Sequence, residues 1–206
     1  MGIMDTVLGW LTPNEANAEI IPQTPGAKEL MDKGMALPDK RGEAIRSLHA
    51  QKEKFYLSDQ PDLPMKLQNF VFGTGGPGDT GAFRPNFVTP GYQINVNTPR
   101  LEGVHRNLAK PAREDQKLNT FAHEAGHGLA QVTHQGGVQQ SGMPIIDALM
   151  TGIRGPQFRI PRDQNESLAN AVAGISNPNY GPLTPEAIAL AIQVMQRANQ
   201  RTGKFE

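Results

Sequence analysis

"NTFAHEAGHGLAQVTH", residues 119–134, contains three of the five histidines in this chain of 206 residues. Two of them, His123 and His127, lie four positions apart and bracket Glu124. Residues four apart on an α-helix are separated by about 40° around its axis and about 6 Å along it, so both imidazoles would point the same way. The stretch predicts a helix from about residue 112 to residue 132, which ends near a pair of glycines.

The spacing of these two histidines suits a metal site. Two imidazoles on one helical face can share a tetrahedral zinc ion at about 2.0–2.1 Å per bond. Glu124 is turned by about 100° from His123, which places it beside such an ion rather than on it. There a carboxylate can take a proton from water whose pKa the metal has lowered toward about 7. We therefore predict Zn²⁺ as the cofactor, His123 and His127 as ligands, and Glu124 as the catalytic general base.

The alternative is an exposed helix whose histidines have no function. Gly126 and Gly128 argue against it, because each glycine weakens a helix by about 0.5–1 kcal/mol relative to alanine. Glycines on both sides of His127 instead predict that another element packs very close to this helix.

The composition narrows the possible functions. The chain has no cysteine, so a metal must be held by histidine and carboxylate groups. Lys plus Arg and Asp plus Glu number 20 each, and this balance argues against nucleic acid as a partner. No apolar run approaches the roughly 20 residues of a transmembrane helix.

The order of predicted elements indicates the fold class. Residues 67–72 and 92–97 have compositions typical of β-strands. The glycine-rich stretch between them, residues 73–83, lacks the Gly-Lys-[Ser/Thr] of a phosphate-binding loop. We therefore interpret it as a flexible hairpin or lid. Helices follow at about residues 163–173 and from Thr184-Pro185 onward. We predict an α+β fold in which a small, mostly antiparallel sheet precedes the active-site helix and the C-terminal helices.

The first 40 residues differ from the predicted domain, residues 41–206. Residues 1–11 have an amphipathic helical pattern, which we expect to pack on its own domain or to dock on a protein assembly partner, with membrane-surface contact or processing as alternatives. Residues 12–40 contain four prolines and predict a linker or extended arm. No Lys or Arg precedes the apolar stretch, so a signal peptide is not expected and a cytoplasmic or virion-associated location is favoured.

"AHEAGH", preceded by a strand ending in "NVN", resembles the zincin-type zinc metallopeptidases. The resemblance implies hydrolysis of a protein or peptide substrate. It also implies that an edge strand beside the active-site helix binds the substrate backbone, and "YQINVN", residues 92–97, is the expected edge strand. The later "ESLANAVA", residues 166–173, extends the likeness to the ImmA/IrrE-like peptidases of phage-related and mobile-element proteins.

Two residues compete for the third ligand position. Glu166 is favoured, because its surroundings are similar to the second helix of gluzincins, in which a Glu binds zinc and the residue four positions later, here Asn170, hydrogen-bonds a ligating histidine. His134 is similar to the third histidine of metzincins but comes one position late, and it would reach the metal only if the helix broke near Gly128. A further alternative is that Asp163 and Glu166 form a capping box, so that Glu166 only caps its own helix.

The remaining site residue is the group that would stabilise an oxyanion. We predict Tyr180 for this catalytic role, followed by Tyr92 and Arg159. His49 is expected to be a surface residue on an N-terminal helix, and His105 is expected to be structural rather than catalytic. The alternatives to a peptidase are a zincin-like structural or docking component of a larger assembly, such as a phage particle, and a secreted effector protease.

Overall fold

The computed structural model describes residues 20–73, 78–86, 90–133, 162–176 and 183–203. Within these ranges, seven helices and four strands form an α+β fold, which confirms the predicted class. The strands are β1 (Ile20–Pro22), β2 (Phe55–Ser58), β3 (Gly81–Pro85) and β4 (Tyr92–Val96). The helices are α1 (Pro25–Met35), α2 (Lys40–His49), α3 (Leu63–Phe72), α4 (Thr98–Val104), α5 (Lys110–Val132), α6 (Arg162–Ala173) and α7 (Pro185–Arg201).

The four strands form one mixed sheet in the order β1-β2-β4-β3. The β1–β2 and β2–β4 pairs are parallel, and only β3–β4 is antiparallel. The prediction of a mostly antiparallel sheet is therefore wrong. Helices lie between β1 and β2 and between β2 and β4 along the chain, and such long crossovers are what parallel pairing requires.

The edge of the sheet also differs from the prediction. β4 was expected to be the edge strand, but it pairs with β2 on one side and β3 on the other. Among the described strands, β3 lies at this edge of the sheet, and β3 as well as β4 packs against α5. β3 comes from the end of the glycine-rich stretch that was interpreted as a hairpin or lid.

Residues 67–72, predicted to be β-rich, lie in helix α3 instead. The side chain of Asp62 accepts a hydrogen bond from the backbone N–H of Met65, and Pro64 lies in the first turn. These are strong helix-start signals, and they outweigh the β-propensity of the apolar residues that follow.

Residues 20–40 belong to the folded core, so the predicted linker is wrong over this range. β1 pairs with β2, and Ala27 and Leu30 of α1 are buried. Thr24 caps α1 by accepting a hydrogen bond from the N–H of Ala27, and Pro25 begins the helix. Prolines that suggested an irregular arm therefore mark the start of a regular element. Residues 1–19, including the predicted amphipathic helix, lie outside the described residues.

The burial of α1 can be tested with Leu30→Ala, because Leu30 is only 6% exposed. We expect the free energy of unfolding to fall by about 2–5 kcal/mol, since the substitution leaves a cavity in the core. Urea unfolding measures this change. Lys28→Ala on the exposed face of the same helix is the control and should cost at most about 0.5 kcal/mol. Equal effects of the two substitutions would favour the linker interpretation.

Helix α5 lies at the centre of the described fold. It packs against β3 and β4, against α2, and against α6 and α7. Phe121, Ala122, Ala125 and Leu129 place one side of this helix in the hydrophobic core. Its bounds confirm the long helix predicted around the histidines. In the described parts of the chain, no helix has both the length and the apolar character needed to cross a membrane.

Candidate metal centre

Helix α5 presents His123 and His127 on the same face, as their spacing predicts. The two imidazole rings are nearly perpendicular, with centroids 4.7 Å apart. Their Nε2 atoms lie 3.1 Å from each other. His127 is buried and His123 is partly buried, so protein atoms rather than solvent surround most of both rings.

Glu166 of α6 is the third member of this cluster. Its Oε2 atom lies 2.9 Å from Nε2 of His123 and 3.5 Å from Nε2 of His127. A tetrahedral zinc ion with bonds of about 2.0–2.1 Å holds its ligand atoms about 3.3 Å apart. The three potential ligand atoms therefore form a triangle close in size to one face of such a tetrahedron. These three residues could hold a metal ion.

Asn170, one turn after Glu166 on α6, lies against the other side of the His123 ring. Its Oδ1 atom is 2.9 Å from Nδ1 of His123. Because an amide oxygen can only accept, Nδ1 carries the proton and donates it. In the neutral ring, the lone pair of Nε2 is then directed toward Glu166 and His127. Fixing the tautomer in this way is what partners of metal-binding histidines commonly do.

The electrostatics of the cluster favour a positive charge between its members. Burial acts to lower the pKa of His123, but its hydrogen bond to Glu166 and the charge of Glu124 raise it above the ordinary value. Burial acts to raise the pKa of Glu166, but hydrogen bonding to the two histidines holds it far below the ordinary value. Both directions describe a proton shared between the His123 ring and the Glu166 carboxylate, and a metal ion between the same atoms would replace that proton.

Gly126 explains how α6 comes close enough to place Glu166. A Cβ atom at this position would lie 2.5 Å from the carbonyl oxygen of Ala169 and 2.9 Å from its Cα. The two helix backbones therefore meet here without a side chain between them. On the neighbouring face, a Cβ at Gly128 would meet the side chain of Leu48 at 3.0 Å. The prediction that another element packs very close to this part of the helix is confirmed.

Gly126→Ala should separate α5 from α6, because the backbone of Ala169 cannot move aside locally. We expect the free energy of unfolding to fall by about 1–3 kcal/mol despite the better helix propensity of alanine. Thermal unfolding measures the change. Gly128→Ala is a matched control, since its new methyl group would meet a movable leucine side chain and should cost less. A more stable Gly126→Ala variant would contradict the close contact.

Glu124 lies next to the two histidines in sequence but outside the group of potential ligands. It is 5% exposed, and burial raises the pKa of its carboxyl against the opposing effect of His123 and His127. Gly81, the first residue of β3, packs directly on this carboxylate, because a Cβ there would lie 2.4 Å from Oε1 of Glu124. Gly81 thus leaves the space that Glu124 occupies. Its role was missed in the sequence, where it is one glycine among several in residues 73–83.

Other predicted site residues are placed as follows. The Tyr92 ring stacks between the rings of Phe55 and Phe83, with centroids 5.6 and 5.1 Å away. It therefore packs against side chains of the neighbouring strands β2 and β3. Asp163 lies inside the first turn of α6, which begins at Arg162, rather than at the N-cap that a capping box requires. Tyr180, His134 and Arg159 lie outside the described residues.

The two remaining histidines are both partly buried. Nδ1 of His49 accepts a hydrogen bond from the backbone N–H of Ile20 at 3.2 Å, which joins α2 to β1. His105 caps the C-terminal end of α4 through its backbone. His49 was expected to be a surface residue, but it is partly buried and links two elements of the fold.

Comparison with protein families, curated protein sequences and solved structures found no match.

Proposed function

We propose that this protein is a zincin-type zinc metallopeptidase, which hydrolyses peptide bonds of a protein or peptide substrate. The observation that carries the proposal is the convergence of Nε2 of His123, Nε2 of His127 and Oε2 of Glu166, at separations of 2.9 to 3.5 Å. Glu124 is buried beside them without joining the group of potential ligands. This combination corresponds to a three-residue metal site with a separate general base.

The donor set supports zinc over Mg²⁺ and Ca²⁺. Two imidazole nitrogens and one carboxylate oxygen are the ligands of many catalytic zinc sites, in which a fourth position is left for water or substrate. Mg²⁺ and Ca²⁺ instead prefer six or more oxygen ligands. When bound, zinc would polarise the scissile carbonyl and activate a water molecule.

Residues of the chain would then bind the ion, orient its ligands and transfer the proton. His123, His127 and Glu166 hold the ion, and Asn170 keeps His123 in the tautomer that presents Nε2. Glu124 takes a proton from the attacking water and delivers it to the leaving amine. A buried carboxyl with a raised pKa suits this exchange, because a group that must both accept and release a proton works best when its pKa approaches the ambient pH.

The edge strand supports a peptide as the substrate. β3 is the outermost strand on its side of the described sheet, and it packs against the helix that carries the histidines. An extended peptide can pair with the free edge of such a strand through main-chain hydrogen bonds. In the proposed enzyme, β3 has the role that the sequence suggested for β4.

Metal content and cleavage together test the proposal. The purified full chain should contain stoichiometric zinc by elemental analysis and should cleave casein, and a chelator should abolish cleavage until zinc is added back. A protein without zinc would contradict the metal site. Stoichiometric zinc without cleavage would contradict the enzyme and favour a docking component of a larger assembly.

A further inference from the structure

Helix α3 exposes its apolar side to solvent. Phe70 is 88% exposed, and four other large apolar residues are more than half exposed. We call this set the α3 stripe: Leu63, Leu67, Phe70, Val71 and Phe72. The first four follow the spacing of a single helical face, so the exposed residues are contiguous. An exposed apolar face of this kind marks a contact surface.

The orientation of α3 is held by its polar residues. Oδ2 of Asp62 lies 2.6 Å from Nη1 of Arg84 on β3, and Oε1 of Gln68 accepts a hydrogen bond of 3.2 Å from the N–H of Asp79. Met65, between these two anchors, is buried. These contacts join the start and middle of α3 to Arg84 and Asp79, and the α3 stripe lies on the exposed side of the helix.

The size of the stripe argues for a small occupant. Five side chains of these types present roughly 500 Å² of apolar surface, which falls below the approximately 800 Å² that each partner contributes to a stable dimer of standard size. A single amphipathic helix of about three turns would cover this area. A second copy of the chain would need further contacts that the stripe does not supply.

Residues 1–11 have the chemistry of such an occupant. Their predicted helix has an apolar face of similar length to the stripe, formed by Ile3, Met4, Val7, Leu8 and Leu11. The charges are complementary as well, because Asp5 is the charged residue of this segment and Lys66 is the charged residue of α3. Each lies beside an apolar face, where the two could pair at the rim of a helix–helix contact.

The chain is long enough to make this contact. Residues 12–19 connect the segment to Ile20 at the start of β1, and eight residues can span up to about 26 Å. β1 and β3 are the two edges of the sheet, three strand spacings or about 14 Å apart. A tether of this length also gives the segment an effective concentration in the millimolar range near α3.

We infer that residues 1–11 form an amphipathic helix that docks on the α3 stripe of the same chain. The contact buries Leu67 and Phe70 against the apolar face of the segment. The inference does not depend on the proposed peptidase activity.

Trp10 tests the inference in the full chain, because it is the only tryptophan and lies in the segment. In the unmodified protein, we expect Trp10 to emit at the short wavelengths of a buried indole and to be protected from acrylamide quenching. Phe70→Asp should shift the emission to the red and raise the quenching constant several-fold. Since Phe70 is almost fully exposed, this substitution should leave the fold intact, which circular dichroism confirms.

Ile192→Asp is the matched control, because Ile192 is 54% exposed on α7, where Ile188 and Leu190 are also exposed. It should leave the Trp10 emission unchanged. Leu8→Asp should reproduce the effect of Phe70→Asp from the other side of the contact. Three outcomes would overturn the inference: an exposed Trp10 in the unmodified protein, a response to Ile192→Asp in place of Phe70→Asp, or an emission that depends on protein concentration, as docking between two copies requires.

Discussion

Glu124→Gln should retain stoichiometric zinc and lose peptidase activity by about 10²–10⁴-fold, the usual contribution of a general base. Glutamine has nearly the same size and leaves His123, His127 and Glu166 in place. It cannot accept a proton from the attacking water, because its amide is not basic. Elemental analysis and the rate of casein cleavage, measured on the same preparation, give the two results.

Glu114→Gln provides the control for this substitution on the same helix. Glu114 pairs with Lys33 and Lys117 near the start of α5, away from the histidines in sequence, so this variant should keep full activity. If Glu124→Gln loses its zinc, Glu124 has a structural or ligand role. If it keeps full activity, the base is another group.

Glu166→Ala should reduce zinc affinity by orders of magnitude, and activity with it. The substitution removes one of three proposed protein ligands and the negative charge that lies 2.9 Å from Nε2 of His123. Two neutral imidazoles on one helix would remain, and they cannot supply the three protein ligands that a catalytic zinc site has. Zinc titration beside a thermal melt separates this loss of metal from a loss of folding.

Two variants discriminate among the interpretations of Glu166. Asp163→Ala, in the first turn of the same helix, should leave zinc binding unchanged. His134→Ala should also leave it nearly unchanged, because Glu166 already supplies the third potential ligand beside His123 and His127. If Glu166 only capped its helix, Glu166→Ala would cost about 1 kcal/mol of stability and spare the metal. Normal zinc binding in Glu166→Ala, with weak binding in His134→Ala, would move the third ligand to His134.

Local sequence patterns were sufficient to predict the structure wherever contacts between neighbouring residues decide it. The spacing of His123 and His127 placed both imidazoles on one face, since the geometry of a helix repeats within a single turn. The bounds of α5 and the start of α7 at Thr184-Pro185 also followed from local signals. Gly126 and Gly128 indicated a close neighbour, although they did not show which element it was.

The predictions that depended on the pairing of distant strands were wrong. The sequence could not show that β4 is an internal strand, because strand order is decided by contacts among distant segments. The prolines of residues 20–40 were compatible with an arm and with the start of a helix, and burial of Leu30 in the core decided between them. In α3, the capping residues before the apolar run were the more reliable signal.

The sequence by itself determined the chemistry on helix α5: two imidazoles on one face, a carboxylate between them in the chain, and no cysteine to compete for a metal. Only the tertiary structure decided which residue lies opposite the two imidazoles. Glu166 is 43 residues from His123, and its Oε2 atom approaches because the backbone at Gly126 meets the backbone at Ala169. That meeting depends on packing between two helices, and no local period in the chain encodes the distance between them.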